Sequence, residues 1–133
     1  MAPKARTRPM VVAVDLDGTL CEYHEGAPAE IGKPMPGMIE ELKKLKEAGW
    51  YICIWTVRPA SIDLALQLEA MGVPFDEINK NKHGPRDGSA KIYADVYLDD
   101  KAFRFMGKTA GLAKAIMEYQ PWHKAPPYEP KEK

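Results

Sequence analysis

The chain has only two cysteines among its 133 residues, Cys21 and Cys53, and they form no Cys-x-x-Cys pair. That excludes a disulfide framework, and no Cys/His cluster offers a zinc site. Each thiol sits beside apolar or strand-like sequence, so both are expected reduced, in the cytoplasm. No His or Asn is placed to activate either as a nucleophile. Net charge is also absent, with 19 Lys+Arg against 19 Asp+Glu. An overall electrostatic grip on nucleic acid needs a basic excess; a local basic patch stays open. Long hydrophobic runs are missing too. The longest uncharged run in the core, which takes in Gly49–Val57 and begins at Ala48, is far short of the roughly 20 apolar residues that cross a bilayer. The start, MAPKARTRP, is basic, but the apolar run after it stops at Asp15, too short for a signal peptide. There is no internal repeat. The histidines, His24, His83 and His123, stand alone in polar sequence and are expected in exposed loops.

What is present is ordinary for a globular domain, at 45% hydrophobic and 29% charged residues. A chain of this size can bury about two thirds of its surface on folding, enough for one core without staples. Residues 1–9 read as a flexible basic arm carrying Lys4, Arg6 and Arg8. Residues 10–120 read as a single domain. Residues 121–133 are Pro-rich and charged and read as a tail.

Within the domain, strands alternate with helices. Met10–Val14 is a Val-rich run that suits a strand buried on both faces. Trp50–Val57, Pro74–Ile78 and Tyr93–Leu98 follow as further strands, and Ala102–Met106 as a short fifth. Helices are expected from about Pro36 to Ala48, from Ser61 to Met71 and from Leu112 to Tyr119. Pro36 suits the first turn of the first helix, and Gly49 its stop. In the second helix Ile62, Ala65, Leu66 and Glu69 share one face. This order predicts an α/β, three-layer Rossmann-like fold with a mainly parallel sheet.

Ligands of such sheets bind beyond the carboxyl ends of the strands. The first strand ends in Asp15, Asp17 and Thr19, the second in Thr56 and Arg58, the fourth in Asp99 and Asp100. Four carboxylates on one edge repel one another unless compensated. A divalent cation is the simplest compensation, and oxygen-only ligands favour Mg²⁺. Arg58 is balanced between a substrate anion and a surface ion pair. Glu22, Tyr23 and His24 are expected in a solvated loop.

These residues resemble the haloacid dehalogenase superfamily of phosphohydrolases. Asp15-Leu16-Asp17-Gly18-Thr19 matches its first motif, Thr56 in IWTVR its second, and Asp99-Asp100 in VYLDD its fourth. Asp-Gly after a strand is often only a hairpin turn; three motifs in order, each ending a predicted strand, are far more specific. The resemblance covers roughly residues 10–106. It implies Asp15 as nucleophile and Asp17 as general acid and base. It implies a phosphoryl contact from Thr56, and Mg²⁺ held by Asp15, the Asp17 main-chain carbonyl and Asp100, with Asp99 behind or bridging through water. Substrate contacts are expected from Leu16, Gly18, Val57 and Arg58. The third-motif lysine is expected at Lys91, with Lys80 and Lys82 as the other candidates.

Many superfamily members carry an inserted cap domain. Here only about sixteen positions separate Leu20 from Pro36, and about twelve separate Ile78 from Lys91. Neither stretch is long enough to bury a core, so a capless, open site is expected. Such a site suits a large substrate, or a homo-oligomer in which a neighbour covers it. The leading reading is a Mg²⁺-dependent phosphomonoester hydrolase. The alternatives are a nucleotide or nucleic-acid-end phosphatase, supported by the basic arm with Lys80, Lys82 and Arg86, or an inactive metal-binding or scaffold member. Nucleic acid enters only as a substrate, and no membrane partner is expected.

Overall fold

Val11–Val14 (β1) has all four side chains buried, as a strand covered on both faces must. The structure is a computed structural model that describes residues 7–84 and 90–123. The elements after β1 are α1 (Met38–Glu47), β2 (Tyr51–Ile54), α2 (Ile62–Ala70), β3 (Glu77–Ile78), β4 (Val96–Leu98) and α3 (Leu112–Glu118). The chain divides into two compact units, Met1–Asp99 and Asp100–Lys133.

The first unit holds a four-stranded sheet in the order β3-β2-β1-β4. All three pairings are parallel, with Val12 opposite both Ile52 and Val96. This is a small α/β Rossmann-like fold. Alternation along β1 sorts its side chains between two clusters. Val12 and Val14 join Ile52, Ile54, Leu42 of α1 and Leu64 and Leu68 of α2. Val11 and Ala13 join Cys53, Ile92 and Ala94 on the other face. Two successive crossovers of one hand, stepping from β1 to β2 to β3, place both helices on one face. The chain then returns to the far side of β1 to lay down β4. The order therefore reverses between β1 and β4.

Side chains finish what the strands leave open. The Ile52 N–H donates to Asp76 Oδ2 at 2.7 Å, and the Val11 N–H to Asp95 Oδ2 at 2.8 Å. Each carboxylate thus satisfies a donor near the start of a neighbouring strand. Arg8 donates to Asp95 Oδ2 at 3.2 Å and to the Tyr93 hydroxyl at 2.8 Å. Arg8 is therefore anchored and does not belong to a loose arm; Lys4 and Arg6 lie outside the described residues.

Several expectations shift in detail. Helix α1 begins after Gly37, whose φ of 81° is left-handed, so Pro36 precedes the helix and does not fill its first turn. Gly49, at φ 88°, does end it. Helix α2 is capped by Ser61, whose Oγ accepts from the Leu64 N–H at 3.1 Å. Its buried face is Leu64 and Leu68, whereas Ile62 is 80% exposed and Leu66 also points outward. The fourth strand is half the expected length. Before it, the Tyr97 hydroxyl donates to the Ile92 carbonyl and accepts from the Ala94 N–H, so residues 92–94 follow a side chain and not a ladder.

In the second unit, Ala102–Met106 forms no strand. Helix α3 ends at Tyr119, whose hydroxyl donates to the Asp100 carbonyl at 2.6 Å. Phe103 meets the Tyr119 ring edge-on. His123 lies buried against Asp100. Pro121–His123 is consequently not a loose tail, and His123 is not an exposed loop residue; the chain beyond it lies outside the described residues.

Candidate active site

The turn after β1 is built from the inside out. Leu16 and Leu20 are fully buried and pin it to the core. Between them the chain reverses through Gly18, at φ 85°, a conformation that glycine adopts without a Cβ penalty. The Leu20 N–H donates to the Asp15 carbonyl at 3.2 Å, the Cys21 N–H to Leu16 at 2.9 Å, and the Gly18 N–H to Cys21 at 2.9 Å. With Leu16 and Leu20 inward, Asp15 and Asp17 remain part-exposed at the strand end. Thr19, nearly buried, donates its hydroxyl to Asp15 Oδ2 at a long 3.4 Å. Leu16 can meet a substrate only through its main chain.

Asp15 also continues the pairing with β4, its N–H donating to the Leu98 carbonyl at 2.9 Å. That sets Asp15 beside Asp99 at the reversal of strand order, where open α/β sheets bind ligands. One carboxylate oxygen from each lies within 4.8 Å of the other. Two oxygens on one Mg²⁺, each at about 2.1 Å, stand no more than about 4.2 Å apart. Rotation of the exposed Asp99 side chain spans that difference, and both donors are hard oxygens, so the pair fits a hard divalent cation. Asp100 follows directly in the chain and opens the second unit. Its Oδ2 lies 2.6 Å from His123 Nε2.

Arg58 is resolved as a buried ion pair. Its Nε donates to Asp17 Oδ2 and its Nη2 to Asp17 Oδ1, both at 2.8 Å, a planar fork on a carboxylate. Its Nη1 donates to the Pro28 carbonyl. The hydrogen bonds and charge of Asp17 push the guanidinium pKa up further. Arg58 therefore ties the first turn to the loop before α1 and is not an open rim residue. The same loop is held from α2, where Gln67 accepts from the Ile31 N–H at 3.1 Å and donates to the Ala29 carbonyl at 3.2 Å. Between loop and helix lies a cleft of about 290 Å³, walled by Ala29, Val57, Arg58, Pro59 and Leu64. Val57, 93% exposed, stands at its mouth.

Thr56 sits at the end of β2. Its Oγ1 accepts from the Arg58 N–H at 3.1 Å, which leaves the hydroxyl hydrogen available to a phosphoryl oxygen. Asn79 clamps this turn: its Oδ1 accepts from the Thr56 N–H at 2.9 Å and its Nδ2 donates to the Arg58 carbonyl at 3.0 Å. Asn79 adopts φ 56°, a conformation in which Asn is enriched. An Asn straight after a strand was the available signal for this residue, which the motifs do not include.

Lys91 is exposed, with Nζ 4.9 Å from the centre of the Tyr97 ring. Tyr97 pairs with Ala13, two residues before Asp15, so that ring stands on the β1/β4 seam. Lys82 instead lies over Tyr51, at the start of β2 and the opposite end of the strands. Lys80 is exposed, and Arg86 lies outside the described residues. The thiols are inert: burial pushes both Cys21 and Cys53 up to about 12.

No family model and no curated protein matches the chain. It is similar to a conserved protein of known structure from Bacteroides thetaiotaomicron. The two are 29% identical, the match covers 88% of this chain and 97% of the other, and the TM-score is 0.57. A structure from Vibrio cholerae is 27% identical over 71% of this chain and 84% of its own, with a TM-score of 0.44. The first likeness places the α/β fold in a protein of nearly the same extent. Among the described residues, no helix is long and apolar enough to cross a membrane.

Proposed function

We propose that the protein is a Mg²⁺-dependent phosphomonoester hydrolase of the haloacid dehalogenase type, acting through an aspartyl-phosphate. The observation that carries the reading is the meeting of Asp15 and Asp99 at the β1/β4 reversal. Asp17, two residues on, is held by Arg58, which walls a cleft large enough for a small alcohol.

An Asp15 oxygen attacks phosphorus, and the bond from phosphorus to the ester oxygen breaks. Asp17 gives its proton to that leaving oxygen. A water then attacks the acyl phosphate and loses its proton to Asp17, which frees phosphate and restores Asp15. Thr56 holds a phosphoryl oxygen, Gly18 with no Cβ lets the phosphoryl group approach the turn closely, and Lys91 supplies positive charge. Asp15, the Asp17 carbonyl and Asp100 are the Mg²⁺ ligands the resemblance gives, and the ion would neutralise charge on the transferring group. The Arg58 fork occupies both Asp17 oxygens, so one of its bonds opens when Asp17 carries the proton. The alcohol portion of the substrate lies in the cleft at Val57. Two buried free thiols suit a cytoplasmic setting.

The nucleic-acid-end alternative gains no support, because Arg8 is engaged with Asp95 and Lys82 lies over Tyr51. The direct test is turnover of p-nitrophenyl phosphate with Mg²⁺ and with EDTA. Release of p-nitrophenol that EDTA abolishes supports the reading. Absence of turnover across phosphorylated metabolites, nucleotides and phosphorylated oligonucleotides overturns it.

A further inference from the structure

Helix α3 and the residues after it converge on Asp100, a contact the hydrolase chemistry leaves unused. The Asp100 side chain is 1% exposed and that of His123 8%, and Oδ2 lies 2.6 Å from Nε2. The Tyr119 hydroxyl holds the Asp100 carbonyl at 2.6 Å. One residue is therefore gripped at both its main chain and its side chain from the same short stretch. Both grips are braced by aromatic edges, Phe103 against Tyr119 at 6.1 Å and Trp122 against His123 at 5.5 Å. A buried carboxylate needs donors, and the imidazole supplies one. A carboxylate offers about four lone-pair positions, so a bond to His123 is compatible with a cation on the same group.

We propose that His123 is a positioning residue for the metal. Its imidazole fixes the rotamer of Asp100 so that the remaining lone pairs meet the cation without reorganisation. This rests on the metal part of the reading above and not on the ester chemistry. Removing the hydrogen-bond partner of a ligating carboxylate typically weakens metal affinity by about 10- to 100-fold. A histidine that merely fastened the chain end would leave affinity unchanged in a folded variant.

The test uses Mn²⁺ as probe, with free ion read by electron paramagnetic resonance on the full chain. His123→Leu, which lacks an N–H, is expected to bind Mn²⁺ at least tenfold more weakly than wild type. His123→Gln, whose amide can donate, is expected to stay within about threefold. A folded His123→Leu variant within twofold of wild type overturns the proposal, as does a wild type that binds no Mn²⁺. If the Leu variant does not fold, the wild-type His123 ring ¹⁵N resonances decide. They should move with Mg²⁺ along the Mn²⁺ displacement curve, and their constancy overturns the proposal. Turnover is followed in parallel: intact Mn²⁺ binding with the expected variant pattern but no hydrolysis refutes the phosphatase reading and leaves the His123 role standing.

Discussion

Arg58 and Asp17 are 41 residues apart in sequence, and they meet in a two-bonded fork. A lysine cannot reproduce two parallel N–H bonds. Arg58→Met leaves a carboxylate half-buried without its partner and is expected to cost about 3 kcal/mol, read as a lower urea midpoint at unchanged slope. Asp15→Asn should abolish turnover with the fold intact, since an amide matches the carboxylate in shape but is no nucleophile. Turnover within tenfold of wild type would remove Asp15 from that role. Asp100→Ala should raise the Mg²⁺ concentration for half-activation more than Asp99→Ala does; equal midpoints would count against the assignment. Asp15, Asp17 and Thr56 were legible because a turn motif or a strand end marks each locally. Arg58's partner, the Asn79 clamp and the burial of His123 were not. Each depends on a residue at least 21 positions away, and no local pattern encodes such a meeting.

At the scale of elements, continuous apolar runs announced β1 and β2, although β2 spans only Tyr51–Ile54 of the expected Trp50–Val57. Alternation misled elsewhere. Phe103 and Phe105 alternate as strand residues do, yet a strand also needs a partner backbone, and none pairs with them among the described residues. In α2, two apolar stripes compete: Ile62 with Leu66, and Leu64 with Leu68. Both have helical spacing, and only packing decides which turns inward. Ser61→Ala is expected to destabilise by about 1 kcal/mol through loss of the cap, and Leu68→Ala by about 2–5 kcal/mol through a core cavity. Thermal or urea unfolding checks both, and the reverse ranking would contradict the burial of Leu68. The thiols add a pH signature. Their folded pKa values, raised to about 12, favour the native state below the ordinary thiol range near 8.5. That contribution is lost as the pH climbs from there toward 12. The urea midpoint should therefore fall over this alkaline window, and native protein at pH 8 should resist a thiol reagent until denaturant is added.

On the scale of the whole molecule, the proposed capless site sets the expected kinetics. A capless site of the proposed kind gives a small ester few walls, so small esters should bind weakly, with KM toward or above about 1 mM. Covering the site would need a large substrate or a second copy of the chain. Light scattering showing a strict monomer, together with micromolar KM for a small sugar phosphate, would refute this. The strand order has a further consequence, for the birth of the molecule. Val12 pairs with Ile52 and also with Val96, a residue 84 positions on. Contacts of such long range form slowly, after local structure has been made. During vectorial synthesis the strand bearing Asp15 can pair with β2 early and must then wait, one edge open, for the return of β4. A nascent chain shorter than about 99 residues thus carries Asp15 without Asp99, and an unpaired apolar edge exposed to other chains. The meeting of the two carboxylates and protection from aggregation arrive together, when the last strand docks.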